Sequence, residues 1–205
     1  MHSELYALQN TLREHVHAFA VDIGPRTLFN LSSLARAANY IRSVLECAGL
    51  SVSEQNYEYY GQQVTNVLAT IPSTVGASAY YVVGAHYDTV PETPGADDNA
   101  SAVAVMLELA TRLRQKNLKV PVVFAASRWK NRRHSRPIIR AAASSSKRPK
   151  TMVTVLSEPS FWRWLATPLL ASAIQLFRVG LAIQHMETSS VSLETGARAR
   201  LVARL

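Results

Sequence analysis

Acidic residues are absent from the middle of this 205-residue sequence, and this gap limits what the chain can fold into as one unit. No Asp or Glu lies between Glu108 and Glu158, whereas nine Lys and Arg residues fall within positions 128–150. Residues 1–124 contain 8 basic and 11 acidic side chains, a net charge of −3, and residues 125–205 contain 14 and 3, a net charge of +11. Globular surfaces normally intersperse charges of both signs. We therefore treat residues 1–125 and 126–205 as separate parts of the chain.

Composition excludes several classes of protein. A hydrophobic content of 48% with 18% charged residues is typical of a globular chain. The single cysteine, Cys47, can form no internal disulfide and no thiolate zinc cluster, so a metal would have to bind His, Asp or Glu. No apolar run follows Met1, which predicts a cytoplasmic protein without a signal peptide. The most apolar stretch, 165–177, is too short for a helix that needs about 20 residues to span a membrane, so we expect no membrane partner.

Hydrophobic spacing within residues 1–125 predicts helices that alternate with strands. Apolar side chains recur at three- and four-residue intervals in three segments, at 5–16, 32–48 and 101–114. Gly49 stands where a left-handed residue would end the second of these helices. Short β-branched and aromatic runs predict four strands, at 52–60, 64–71, 80–85 and 120–125. This order favours an α/β sandwich.

Polar residues with metal-binding chemistry follow the strand predicted at 80–85. His86 and Asp88 come directly after that strand, and Asp98 precedes the helix predicted at 101–114. In open α/β sheets, sites collect where the carboxyl ends of the strands meet the loops. Neutral imidazole and carboxylate oxygen are ligands of hydrolytic zinc, and a nearby carboxylate can orient the imidazole ring. We therefore predict His86 and Asp98 as zinc ligands and Asp88 as the group that orients His86.

Each of these residues taken alone has an ordinary structural explanation. Asp97, Asp98, Asn99 and Ser101 could cap the following helix, and His86 could be a hydrogen-bonded histidine at a strand end. The other histidines and Glu108 are expected to have structural roles only. The combination is much more specific, because His-Tyr-Asp is followed about ten residues later by Gly-Ala-Asp-Asp-Asn-Ala-Ser and an apolar helix.

This combination resembles the signature of the co-catalytic zinc aminopeptidases, whose fold is shared with glutaminyl cyclases and the transferrin receptor ectodomain. The resemblance extends over about residues 10–125 and includes Ile-Gly-Pro-Arg at 23–26 and Thr-Asn-Val-Leu-Ala at 65–69. It implies a phosphorylase-like, zinc-exopeptidase-like three-layer sandwich with a mixed central sheet, truncated here after about residue 125. Residues 1–125 would then be the N-terminal part of a zinc peptidase domain acting on peptide substrates.

The resemblance also implies roles for individual residues. His86 would bind one zinc ion, Asp98 would bridge two and carry a cis peptide bond to Asn99, and Asp88 would orient His86. Five protein ligands and a glutamate base from a Glu-Glu pair complete such a site, and this chain shows two of the ligands and no base. We therefore expect poor zinc binding and no peptidase activity from the chain as written.

The expected Glu-Glu pair is encoded in another reading frame. After Phe124 the sequence continues Ala-Ala-Ser-Arg-Trp-Lys-Asn without a carboxylate. Because Trp129 has the single codon TGG, its last base and the first two of Lys130 form GAA, a glutamate codon. The last base of Lys130 and the first two of Asn131 form a codon for glutamate or lysine. With permitted codons, residues 127–135 become Phe-Ala-Leu-Glu-Glu-Pro-Pro-Ala-Phe, which resembles the family's continuation.

Two later segments regroup in the same frame and in the family's order. Residues 161–166 can yield Leu-Glu-Met-Val-Gly, and residues 185–193 can yield Tyr-Gly-Asn-Phe-Ile-Gly-Leu-Val. We infer that the reading frame changes by one base near 125–126. Residues 126–205 are then an out-of-frame, basic tail without a native fold.

Three other functions are compatible with parts of the sequence. A glutaminyl cyclase-like acyltransferase or a non-catalytic binding module of the same fold would share these residues. A literal interpretation of residues 128–150, with tryptophans nearby, is an arm that binds nucleic acid. No nucleic-acid motif accompanies the basic run, and we expect no specific nucleic-acid partner.

Overall fold

The protein was analysed as a computed structural model, which describes residues 2–76, 79–128 and 150–155. The three helices and the first four strands follow the hydrophobic spacing, whereas a fifth strand at 150–155 was not predicted. In chain order they are α1 (His2–His17), a π-helical turn (Ala18–Ile23), α2 (Leu31–Cys47), β1 (Ser51–Tyr59), β2 (Gln62–Ile71), β3 (Ala79–His86), a wide irregular turn (Ala96–Ala100), α3 (Ser101–Leu113), β4 (Val122–Ser127) and β5 (Lys150–Val155).

The strands form one mixed sheet in the order β1-β2-β4-β3-β5. β2 is antiparallel to both β1 and β4, whereas β3 is parallel to both β4 and β5. β3 therefore lies inside the sheet and ends at the same edge as β4, with His86 paired to Ser127. The predicted α/β class with a mixed central sheet is confirmed.

The helices cover one face of the sheet and form its main core. Alternate residues of β4, Val122, Phe124 and Ala126, point into this core, and the intervening Val123 and Ala125 join a second buried cluster. α3 is apolar around most of its circumference, and nine of its residues are buried. A helix buried on nearly all sides fixes the turn that precedes it, and this turn carries Asp98.

Helix ends follow the expected chemistry. Asn30 begins α2, since its side-chain oxygen accepts a hydrogen bond from the Ser33 N–H at 3.2 Å. Gly49 has φ +78°, and the Leu50 N–H donates to the Leu45 carbonyl at 3.0 Å, which confirms the predicted left-handed helix end. Among the described residues, no helix combines the length and the apolar character that crossing a bilayer requires.

The predicted boundary at residue 125 stays a prediction. β4 continues to Ser127, and β5 pairs with β3 from within the part of the chain predicted to be out of frame. Most of that part lies outside the described residues, at positions 129–149 and 156–205. These positions include the regrouped segments at 161–166 and 185–193, and all but the first two residues of the segment at 127–135.

Candidate metal centre

His86 is the last residue of β3, at the carboxyl edge of the sheet. Parallel pairing with β4 fixes its backbone, and the next residue continues this pairing because the Tyr87 N–H donates to the Ser127 carbonyl at 2.8 Å. Only 5% of the His86 surface is exposed. The strand therefore delivers a nearly buried imidazole to the edge at which the sequence predicts a site.

Asp88 contacts one nitrogen of the His86 ring. Nδ1 lies 3.2 Å from Oδ1 of Asp88 and 3.2 Å from the Asp88 main-chain oxygen. Two acceptors at Nδ1 favour the tautomer with the proton on that nitrogen. The lone pair of Nε2 is then available to a metal, which is the role that the sequence predicts for this pair.

Asp98 lies at the other nitrogen of the same ring. Its Oδ1 is 3.1 Å from Nε2 of His86, and the buried Nε2 makes no well-formed hydrogen bond. The Asp98 side chain is 43% exposed, so solvent reaches the site from the side of this carboxylate. A carboxylate oxygen that faces the lone pair of a buried imidazole nitrogen needs an explanation, and a cation shared by the two groups provides one. His86 and Asp98 thus fit a metal ion by their chemistry and their proximity.

The turn before α3 directs Asp98 towards His86. Asp98 (φ −112°, ψ 86°) and Asn99 (φ −144°, ψ 36°) are not helical, and the peptide bond between them is cis, as the resemblance implies. The residue at the N-terminal cap of α3 is Ala100. Capping of α3 therefore does not account for the position of Asp98, and the purely structural explanation of this residue loses its support.

Sequence reasoning missed the importance of Arg26. This side chain is fully buried and donates five hydrogen bonds, all to main-chain carbonyl oxygens. Burial lowers the pKa of Arg26 to about 10, although the negative charge of Asp88 opposes the shift, so the guanidinium stays charged at neutral pH. The Ile-Gly-Pro-Arg motif at 23–26 marked the segment but gave no sign of what the arginine contacts.

Comparison with known proteins tests the family to which the sequence is similar. Residues 66–128 match the profile of Peptidase family M28. This segment of the chain therefore resembles family M28. It confirms the predicted zinc aminopeptidase relationship, and the matched segment contains His86, Asp88 and Asp98.

Individual relatives agree with the M28 match. The chain is 34% identical over 129 residues to the uncharacterized protein YfbL of Escherichia coli (strain K12), a match covering 59% of this chain and 39% of that protein. It is 38% identical over 71 residues to a probable zinc metalloprotease of Pyrenophora teres f. teres (strain 0-1), covering 31% of this chain and 15% of that one. The chain thus spans about two fifths or less of the length of these relatives.

A solved structure supports the fold. The zinc aminopeptidase BSAP from Bacillus subtilis superposes with a TM-score of 0.53 at 14% identity, covering 57% of this chain and 60% of that chain. At this identity the likeness concerns the fold alone. It confirms the predicted zinc-exopeptidase-like sandwich.

The set of metal ligands that the resemblance implies is not assembled among the described residues. They contain no group of three or more His, Cys, Asp or Glu side chains that could hold a metal ion. β4 ends in Ser127 and is followed by Arg128, whose guanidinium lies 4.5 Å from the centre of the Tyr59 ring. An arginine therefore occupies the end of the strand after which the resemblance implies the Glu-Glu pair.

Proposed function

We propose that the chain is the N-terminal part of a zinc-dependent M28 aminopeptidase that hydrolyses N-terminal peptide bonds, and that as written it is inactive. One observation carries the proposal: the buried Nε2 of His86 lies 3.1 Å from Oδ1 of Asp98 but makes no well-formed hydrogen bond. The M28 match over residues 66–128 and the zinc metalloprotease relatives support the choice of zinc.

Three side chains of this chain have assigned roles. His86 and Asp98 would hold the metal, Asp98 being the ligand that the resemblance would share between two ions, while Asp88 would keep the His86 ring in the required tautomer. Bound zinc would supply a Lewis acid that polarises the carbonyl of the scissile peptide bond. The partner is thus a peptide with a free N-terminus.

Inactivity follows from what these residues lack. Two protein ligands do not complete even one tetrahedral zinc site, so zinc should bind poorly. No carboxylate follows β4 within the described residues, so no group there can accept a proton from an attacking water. Arg128 adds a positive charge at this edge of the sheet.

A change of reading frame would account for both deficiencies, and the genomic sequence tests it. We expect that resequencing the codons for residues 122–131 reveals a one-base error and restores Phe-Ala-Leu-Glu-Glu. If the frame stands in the genomic DNA, the sequencing error is refuted and the locus is a broken peptidase gene.

The activity is tested with the chain as written and with the frame-restored protein made from the same locus. We expect the restored protein to hydrolyse an aminoacyl anilide in the presence of zinc and the 205-residue chain to remain at background. His86→Ala should abolish the restored activity, and the exposed His17→Ala is the matched control. Hydrolysis by the 205-residue chain would refute its inactivity, and cyclisation of an N-terminal glutamine without hydrolysis would favour the glutaminyl cyclase alternative.

A further inference from the structure

We infer that Arg26 is a positioning residue that sets the separation of the two metal-binding side chains, an inference that rests on the proposed function. The loop at 87–95 leaves β3 after His86 and leads to the turn that carries Asp98. Arg26 holds both ends of this loop. Its Nε–H donates to the Tyr87 carbonyl at 2.7 Å, and its Nη1 and Nη2 groups donate to the Pro94 and Gly95 carbonyls at 2.8 and 3.0 Å.

Arg26 is itself fixed to the preceding segment. Nη1 also donates to the carbonyls of Phe19 at 2.8 Å and Gly24 at 2.9 Å. Its main chain exchanges two further hydrogen bonds with Thr89, from the Arg26 N–H to Oγ1 at 3.0 Å and from the Thr89 N–H to the Arg26 carbonyl at 2.9 Å. The guanidinium therefore connects the π-helical turn, the loop and the turn before α3 as one unit.

The geometry of these contacts requires an arginine. A planar guanidinium presents five N–H donors in fixed directions, whereas a lysine ammonium has three donors on one atom and cannot reach carbonyls on opposite sides. One rigid group thus holds both Tyr87, which follows His86, and Gly95, which precedes Asp98 by three residues. The distance of 3.1 Å between His86 Nε2 and Asp98 Oδ1 depends on this closure of the loop.

Gly95 shows how closely the loop approaches Arg26. A Cβ atom at this position would lie 2.7 Å from Nη2 of Arg26 and would clash with Cγ2 of Thr89. Its φ of +61° also favours glycine. The loop therefore contacts the guanidinium through bare backbone, which leaves little freedom in where Asp98 is placed.

Arg26→Lys in the full 205-residue chain tests the inference, with Leu45→Ala in the buried part of α2 as a control for lost stability. In the unsubstituted chain we expect a nuclear Overhauser contact between the His86 ring and the Asp98 Hβ protons, and slowly exchanging Arg26 guanidinium protons. Arg26→Lys should lose this contact between the His86 ring and Asp98. In the frame-restored protein, which would supply the remaining ligands, the same substitution should weaken zinc binding, measured by calorimetric titration, by about 10-fold or more. Leu45→Ala should retain the contact and the affinity.

The possible results separate this inference from the proposed function. The inference would be overturned if Arg26→Lys retained both the His86–Asp98 contact and the zinc affinity. It would also be overturned by fast exchange of the Arg26 guanidinium protons in the unsubstituted chain, a measurement that does not require the variant to fold. Zinc affinity that His86→Ala leaves unchanged would instead overturn the proposed metal site. In that case the contact in the unsubstituted and Arg26→Lys chains still decides the role of Arg26.

Discussion

Carboxylates of different exposure lie next to both nitrogens of the His86 imidazole. Asp88, with a side chain 16% exposed, lies 3.2 Å from Nδ1, and the more exposed Asp98 lies 3.1 Å from Nε2. The less exposed carboxylate is suited to orienting the ring, and the more exposed one is suited to receiving an ion from solvent. The two aspartates therefore have separable effects on the same histidine.

Substitution of Asp88 tests this division at the residue scale. Asp88→Asn leaves the main-chain acceptor at Nδ1 but replaces the carboxylate with an amide that can donate to this nitrogen. The preference for a proton on Nδ1 is then weaker, and a proton on Nε2 blocks the metal-binding lone pair. We expect a change in the ¹⁵N shifts of the His86 ring and zinc binding weakened by about 10-fold. The exposed neighbour Asp97→Asn removes one negative charge without contacting the ring. Equal losses in the two variants would mean that Asp88 acts through its charge alone.

Gly95 gives a prediction about stability at the same scale. Gly95→Ala would place a methyl group against Thr89 and Arg26 at a residue with φ +61°, so we expect the free energy of unfolding to fall by about 1–3 kcal/mol. Gly76→Ala is the matched control, because no atom lies within 4 Å of its added Cβ and its φ is not positive. Urea unfolding of both variants makes the comparison, and similar midpoints would show that the loop can move away from Arg26.

At the scale of elements, the three helices meet around a buried polar cluster. His15 of α1 lies 2.8 Å from the Tyr40 hydroxyl of α2 through Nδ1 and 3.9 Å from Glu108 of α3 through Nε2. Glu108 also pairs with Arg112 one turn along α3, at 3.3 Å. Glu108 is therefore locally paired on its own helix, as the sequence favours, and its contact with His15 links α3 to α1.

This cluster predicts a dependence of helix packing on pH. Burial lowers the pKa of His15 below its ordinary value of 6.5, although Glu108 and Glu14 oppose the shift. The unfolded chain then takes up this proton at a higher pH than the folded chain, so the contribution to stability is present above about pH 6.5 and is lost as the pH falls. We expect a lower urea midpoint at pH 5 than at pH 7.5, and a smaller difference in His15→Gln. An unchanged difference in that variant, or an equal reduction in the exposed His17→Gln, would contradict the assignment.

At the scale of the whole molecule, the charge of the chain changes at residue 125, from a net −3 before it to a net +11 from there on. Residues 66–128 match family M28, and we propose that the remaining carboxylate ligands are encoded in another reading frame. A complete metal site links distant segments and stabilises the fold when metal binds. A site with two ligands should stabilise it little.

Thermal unfolding with and without zinc measures this difference. For the 205-residue chain we expect stabilisation of no more than about 0.4 kcal/mol, the value when zinc does not exceed its Kd, and a rise in Tm below about 2 °C. The frame-restored protein should show a larger rise that EDTA reverses. A large, EDTA-sensitive rise in the 205-residue chain would show that residues beyond His86 and Asp98 complete its site.

The sequence by itself determined the three helices and the first four strands, but not β5, and it predicted the three residues of the candidate site. Their signals are local: apolar spacing predicts α2 and α3, β-branched runs predict β3, and His86 and Asp98 follow from their places at a strand end and before a helix. The start of β4 was less well predicted, since pairing with β3 begins only at Val122, after Pro121, which has no N–H to donate.

Only the tertiary structure decided which distant groups meet. The hydrogen bonds of Arg26 reach carbonyls as many as 69 positions away, and His15, Tyr40 and Glu108 come from three different helices. Main-chain carbonyls are present at every residue, so no sequence pattern distinguishes those that accept from a buried arginine. The partners of buried polar groups depend on the path of the backbone, and that path is fixed by packing of the whole core.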